Sequence, residues 1–427
     1  MSKVLIIARR FPPYYHSLGG VLRALKLADY LQGQGVEVFV LAGEGVEISY
    51  FGYRELVQSL DVTYIPDPLQ RAFNRKKLQA LSAQEMHDET AKTRFPFRPA
   101  LRRLCRPLLI PDPGVLLTLR YYRAARRMLQ KHDIPNVIIT SPPHSIQLVG
   151  PLLKRHFKNR IRLTVDYRDS WNCRGLFCPK THAGRMVSEC LERNVLRAAD
   201  RFTCVSEPIM SKISRKFFDI GPRTDVVMNG FDRRMAPPAA EVADRRDTPD
   251  MLTLGLFGRV TDRSQEGRDP TTLLETVATE DLPVRIVFHG HVEVNPCWSE
   301  RLGNRLVLGG NLDHAAALKR MQQMDVLLIL VTDEKGSDEV VTGRIFEYML
   351  TNRPILVVGP KDMAAGRIVE AKGLGYHFSH NDKRELADGL RQLVRAREKG
   401  ELPVYDWEDI AEFDRSYQYA KVLQHVL

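Results

Sequence analysis

What this chain lacks narrows its class first. No apolar run approaches the ~20 residues that cross a bilayer; the longest, such as Val326–Val331, are strand-length. The N-terminal run Val4–Ala8 is too short for the apolar core of a signal peptide, so a cytoplasmic location is expected. Cysteine is sparse: six residues, at 105, 173, 178, 190, 204 and 297, are too scattered for a disulfide framework. Cys173, Cys178, His182 and Cys190 are close in sequence, but no C-x2-C pair is present, so buried thiols are expected rather than a zinc site. There is no Asp-x-Asp metal motif, no motif that reads RNA or DNA, no internal repeat and no low-complexity tract. Nucleic acid is not an expected partner.

What is present is an ordinary globular composition with a basic excess. The 427 residues, 44% hydrophobic and 27% charged, exceed one core and suit two domains. A net charge of +11 asks for an anionic partner, such as a nucleotide diphosphate or an anionic membrane. Residues 71–108 concentrate it, with ten Lys or Arg against three acids, interleaved with Phe73, Phe95 and Phe97. That pattern suits a peripheral contact with an anionic membrane, on the inner face of the plasma membrane, as well as it suits a solvated insertion.

Short β-branched runs alternate with helix-period stretches. Val4–Ala8, Glu37–Leu41, Val62–Ile65, Asn136–Thr140, Arg162–Asp166, Phe202–Val205 and Val226–Met228 read as strands, with Val21, Leu25, Ala28 and Leu31 on one helix face. A polar, Pro- and Ala-rich stretch, Arg233–Asp250, interrupts the pattern. It restarts with Leu252–Phe257, Val284–Phe288, Arg305–Leu308, Val326–Val331 and Ile355–Val358. The expected fold class is α/β: two doubly wound Rossmann-like domains facing across a cleft, residues 1–235 and 236–405.

Two carboxylates stand out. Glu339 and Glu347 are separated by seven residues, the second inside Ile345–Leu350 and the first at or just before that helix's start. Eight residues is just over two helical turns, so the acids can share a face. An ionised carboxylate accepts from two neighbouring hydroxyls, which suits sugar or ribose. Gly19-Gly20 follow the first strand and the loop that carries His16; a helix amino end there favours phosphate. Gly258-Arg259 close Leu252–Phe257, and Arg offers bidentate bonds to phosphate; Arg263 and Arg268 are further cations of that loop. His144, after Asn136–Thr140, could donate a hydrogen bond or carry a proton. Asp169 stands beside Arg168 at a strand end. His289-Gly290 and Asn311, after Gly309-Gly310, end two further strands where small residues leave room for a nucleobase.

The run Glu339–Leu356 resembles the E-x7-E motif of retaining GT-B glycosyltransferases of the family-four type, including Phe346-Glu347-Tyr348 and Pro354-Ile355-Leu356. Phe11-Pro12-Pro13 with Gly19, Gly20 and Arg23 resembles that group's entry loop, Asp166–Trp171 its D-x-R-D-x-W, and Asn229-Gly230-Phe231-Asp232 its NG-x-D turn. The resemblance departs at the diphosphate loop, where a Lys usually follows Gly-Arg. It implies a nucleotide diphosphate sugar as donor, UDP-sugar before GDP-sugar, and a glycan or lipid-linked acceptor in cell-envelope or exopolysaccharide synthesis. It implies retention of configuration, no required metal, no other cofactor, and a C-terminal helix, residues 406–427, crossing back to the first domain. The donor residues would be Gly19, Gly20, Arg259, Arg263, Arg268, His289, Gly290, Asn311, Glu339, Thr342, Gly343, Arg344 and Glu347. His16, Arg23 and Asp169 would meet the acceptor, and Glu339, Arg259, His144 and Asp169 would serve the chemistry. Two alternatives remain: a sugar-nucleotide 2-epimerase on the same fold, and a non-catalytic basic glycan- or membrane-binding protein.

Overall fold

The computed structural model describes residues 1–14, 18–45, 47, 53–69, 109–173, 178–179, 181–237, 250–262 and 268–427. The basic segment 71–108, His16 and Arg263 lie outside them. Two compact units emerge: Met1–Val227 with Tyr419–Leu427, and Met228–Gln418. The division falls shortly before the 235/236 boundary expected from the polar stretch.

The first unit holds seven strands: β1 (Lys3–Ala8), β2 (Glu37–Glu44), β3 (Asp61–Pro66), β4 (Asn136–Ser141), β5 (Arg162–Tyr167), β6 (Arg201–Cys204) and β7 (Thr224–Val226). They form one parallel sheet in the order β3-β2-β1-β4-β5-β6-β7. Both faces of the central strands are covered, which is why Val4–Ala8 is one apolar run and not an alternating one. On one face lie α1 (Leu18–Gly33) and the terminal stretch; Ala24, Leu25, Ala28 and Leu31 pack with Tyr419, Val422 and Val426. On the other face, α2 (Thr118–His132), α3 (Val149–Phe157) and α4 (His182–Ala198) pack beside one another. The α2 helix buries Thr118, Tyr121, Ala125 and Leu129, a three-and-four spacing, and ends at Asp133 in the left-handed region.

Tyr419–Leu427 is fastened to the first unit by polar bonds as well as apolar contact. Asn136 Nδ2 donates to the Val426 carbonyl at 3.0 Å, Arg162 Nη1 to the His425 carbonyl at 2.7 Å, and His425 Nε2 lies 2.6 Å from Asp225.

The second unit repeats the plan. Its strands are β8 (Leu252–Phe257), β9 (Val260–Thr261), β10 (Val284–His289), β11 (Val292–Glu293), β12 (Leu306–Leu308), β13 (Val326–Leu330), β14 (Ile355–Gly359) and β15 (Gly375–Ser379). Six make a parallel sheet, β12-β10-β8-β13-β14-β15, while β9 and β11 form a small parallel pair of their own. The two Rossmann-like units match the fold class expected from the sequence. Among the described residues, no helix is long and apolar enough to cross a membrane.

One buried charge pair holds the first unit's centre. Asp166, on β5, takes hydrogen bonds from Arg23 Nε at 3.0 Å and Nη2 at 2.7 Å, from Thr140 at 2.6 Å and from Thr203 at 2.7 Å. Burial would raise this carboxyl, but Arg23's charge and hydrogen bonds override it and hold it below the usual range. Asp166→Ala strands the Arg23 guanidinium in the core. The expected loss is about 3–5 kcal/mol in urea unfolding, and a loss under 1 kcal/mol would show that the pair is replaceable.

Candidate functional site

In the second unit the candidate residues gather where the parallel strands end. β8 closes at Phe257 and the chain turns through Gly258, whose φ of +133° is open only to glycine. A Cβ there would sit 1.4 Å from Arg344 Nη2. The missing side chain is the space the Arg344 guanidinium occupies. At the end of β10, Gly290 has φ +117°, and a Cβ there would meet the Gly258 carbonyl at 2.4 Å. Gly258 N donates to the His289 carbonyl at 2.5 Å and Gly290 N to the Gly310 carbonyl at 2.7 Å, so three strand ends are laced together by backbone.

Three guanidinium groups share this corner. Arg268 is half-buried; desolvation first, then repulsion from Arg344 and Arg259, brings it down to about 10. No carboxylate pairs with Arg268 or Arg344 among the described residues. Arg259 is exposed and Arg344 half-buried. Like charges held together in this way form a receptor for a multivalent anion.

The two acids reach the same region by different routes. Helix α5 (Gly343–Met349) follows Thr342 and carries Arg344 and Glu347. Tyr348 fixes it: its hydroxyl donates to the Leu328 carbonyl on β13 and accepts from Phe257 N on β8, each at 3.2 Å. Glu347 is partly exposed, with its Oε1 3.9 Å from His314 Nε2. Glu339 is buried in the short 3-10 turn Ser337–Glu339, before the helix as expected. The helical-turn argument for a shared face does not hold, because Val340 and Thr342 are extended (ψ 121° and 145°) and the two acids are not on one continuous helix. The Thr342 hydroxyl is buried without a hydrogen-bond partner among the described residues, and Gly343 has open space where a Cβ would be. Asn311 is exposed beyond β12. His289 is buried, stacked at 5.2 Å on Phe257, and pushed below its ordinary value first by burial. Its Nδ1 lies 3.4 Å from the Gly310 carbonyl, so the ring lines the strand ends and bonds to backbone.

The first unit treats its candidates differently. Gly19 and Gly20 are not in a loop: α1 begins at Leu18 and takes both into its first turn. Arg23, expected at the acceptor, is buried against Asp166, with its charge already used. His144, expected as a proton carrier, is buried between rings. It stacks on Trp171 at 5.4 Å and 10°, meets Tyr167 edge-on, and its Nδ1 lies 3.2 Å from Ser141 Oγ. Burial, then repulsion from Arg168 and Arg10, lowers it to about 3, so the imidazole is neutral at ordinary pH. Asp169 is half-buried beside Arg168, whose Nη2 donates to the Pro142 carbonyl at 3.0 Å.

Sequence reading passed over two acids here, Asp112, which is half-buried, and Glu192, which is buried. Asp112 accepts from Ser145 N and Oγ at 2.9 and 2.7 Å and lies 3.5 Å from Arg9. Glu192 accepts from Asn172 and is raised by burial to about 8. Neither belongs to a motif; a lone acid at an apolar helix position was the only signal for Glu192. No group of three or more His, Cys, Asp or Glu side chains that could hold a metal occurs among the described residues.

Comparison with known proteins adds the family. Residues 19–230 match the model of the family described as "Glycosyl transferase 4-like domain". A search of the curated proteins gave no match. Among solved structures, HepE of Anabaena in complex with UDP-glucose is similar at 15% identity and TM-score 0.60, covering 100% of both chains. Sucrose-phosphate synthase from Thermosynechococcus elongatus is similar at 14% identity and TM-score 0.66, covering 100% of this chain and 98% of that one. The lipopolysaccharide outer core galactosyltransferase WaaB is similar at 12% identity and TM-score 0.59, covering 99% of each. At these identities the likeness is one of fold, the GT-B fold.

The buried His144 has a pH signature. Its folded value of about 3 lies below its ordinary 6.5, so only the unfolded chain takes up its proton between them. Its contribution to stability is complete above pH 6.5 and is lost as pH falls toward 3, by about 1.4 kcal/mol per pH unit. His144→Gln should flatten the acid side of the unfolding-versus-pH curve by about that slope. An unchanged slope in a folded variant would mean the imidazole is not held neutral.

Proposed function

We propose that this chain, which belongs through residues 19–230 to the glycosyl transferase 4-like family, moves a sugar from a nucleoside diphosphate sugar to a glycan or lipid-linked acceptor. The donor reading favours a UDP-sugar, with a GDP-sugar as the alternative, and the setting is cell-envelope or exopolysaccharide synthesis. The observation that carries it is the gathering of Arg259, Arg268 and Arg344 around Gly258. A diphosphate is the multivalent anion that fits such a corner. HepE and its bound UDP-glucose, on the same fold, support the choice of nucleotide.

In this reading the guanidinium groups hold the diphosphate, whose charge rises as the glycosidic bond breaks. A preorganised cation is worth most against charge that develops in the transition state. Glu347, partly exposed at the outer end of its helix, accepts the ribose hydroxyls. Glu339, buried in the turn before that helix, accepts hydroxyls of the transferred sugar. The departing diphosphate takes the acceptor's proton, which needs neither a protein base nor a metal and is compatible with a neutral His144. Configuration at the anomeric carbon is retained. His289 and Gly290, at the strand ends, line the nucleobase side.

Calorimetric binding of UDP beside a transfer assay tests the assignments separately. Glu347→Ala should weaken UDP by roughly ten- to a hundredfold, the cost of a lost charged hydrogen bond of about 1.5–3 kcal/mol. Glu339→Ala should leave UDP affinity nearly intact and cut transfer. Arg344→Ala should weaken UDP and lower kcat together, since it acts on the developing charge. If Glu339→Ala loses UDP as badly as Arg344→Ala, the division of roles is wrong. If wild-type protein binds neither UDP nor GDP, the donor reading falls.

A further inference from the structure

Helix α2 carries a face that the donor chemistry does not use. Its sequence, TLRYYRAARRMLQKH, holds no acid. With Thr118, Tyr121, Ala125 and Leu129 turned inward, the residues left exposed are Leu119, Arg120, Arg123, Arg126, Arg127, Gln130 and Lys131. At 100° per residue they fall within an arc of about 140°. Five cations thus share one side of one helix. None is paired with a carboxylate among the described residues. The flanking acids are engaged or peripheral: Asp112 is bound to Ser145 and Gly114, and Asp133 is the C-cap beyond the last turn. Five unpaired like charges so close together raise the local potential and lower the stability of the helix on its own.

The leading end of this face is apolar. Leu116, in the 3-10 turn Pro113–Leu117 that feeds the helix, is 62% exposed, and Leu119 is 56% exposed. Large exposed leucines beside an arginine stripe are hard to explain as a solvated surface, which needs the cations but not the leucines. A polynucleotide also needs the cations alone. An anionic lipid surface uses both, the guanidinium groups at the headgroups and the leucines among the upper acyl carbons.

We propose that the exposed face of α2, led by Leu116 and Leu119, is a docking surface for an anionic lipid membrane. Arg120, Arg123, Arg126, Arg127 and Lys131 supply the attraction, and the two leucines supply the anchor. This inference is independent of the sugar-transfer reading, because none of these residues belongs to the donor site. It is also distinct from the expectation for residues 71–108.

Vesicle co-sedimentation with the full chain tests it, using phosphatidylcholine alone and phosphatidylcholine with phosphatidylglycerol. Wild-type protein should bind only the acidic vesicles and be released by high salt. Arg120→Ala/Arg123→Ala/Arg127→Ala should bind on the order of a hundredfold more weakly, at several-fold per basic residue. A control of equal charge, Arg384→Ala/Arg395→Ala/Lys399→Ala on the exposed side of residues 383–399 in the second unit, should stay near wild type. Leu116→Asn/Leu119→Asn should weaken vesicle binding but leave any binding of poly(dT) unchanged; because both leucines are exposed, this variant reads the surface even if the arginine variant loses stability. UDP affinity should be the same in all four proteins, so a failure of the nucleotide assay and a failure of the vesicle assay are separate results. The proposal is overturned if the arginine variant binds acidic vesicles like wild type, if the control loses as much, or if wild type binds neutral vesicles equally or acidic ones not at all. It is also overturned if the leucine variant binds vesicles at full strength, which would make the stripe a general polyanion surface.

Discussion

Every strand pair in both sheets is parallel, and that single constraint places everything else. Parallel strands bring all their carboxyl ends to one edge, and every return crossing must run over a face. The faces are therefore buried and apolar, and polar chemistry is confined to the turns at the strand ends. In the second unit those turns cross so closely that only glycine fits at 258 and 290. The same closeness lets the Arg344 guanidinium lie against the backbone of Gly258. Tyr348 is the complementary element, since its hydroxyl fixes the α5 helix against two strands at once.

The two units handle charge in opposite ways. In the first, buried cations are neutralised nearby: Arg23 by Asp166 at 2.7 Å, and Arg9 by Asp67 at 2.7 Å and Asp112 at 3.5 Å. Pairs of this kind specify the fold and leave little charge for a ligand. In the second, Arg268 is half-buried beside other arginines, an arrangement that costs stability. That contrast, more than any single residue, sets the arginine corner of the second unit apart from the paired core arginines of the first.

The legible part of the fold was the part encoded by local periodicity. Strands β1, β4, β5, β8, β10, β13 and β14 stand within a residue or two of where their apolar runs placed them, because a strand buried on both faces must be apolar throughout. The edge strand β15, Gly-Tyr-His-Phe-Ser, was not legible: only partly buried, it needs no aliphatic run. Of the site, Glu347 could be placed on a helix because Ile345, Phe346 and Tyr348 mark its inner side. Partnerships were out of reach. Nothing near Arg23 in sequence points to Asp166, and nothing near His144 announces that Trp171 will cover it. An arginine on the turn after a glycine pair reads the same whether it faces ligand or core. The sequence shows the charge; only the tertiary contact shows where it is spent.

The first unit is assembled from two separated pieces of chain, Met1–Val227 and Tyr419–Leu427, with the whole second unit between them. On a ribosome, at ~5–20 residues per second, the later piece emerges tens of seconds after the earlier one. Throughout that interval the surface that receives Tyr419, Val422 and Val426 is bare, and β1, an inner strand of the sheet, has one side of its packing incomplete. The unit synthesised first is thus the one finished last, its packing complete only when its own closing segment arrives.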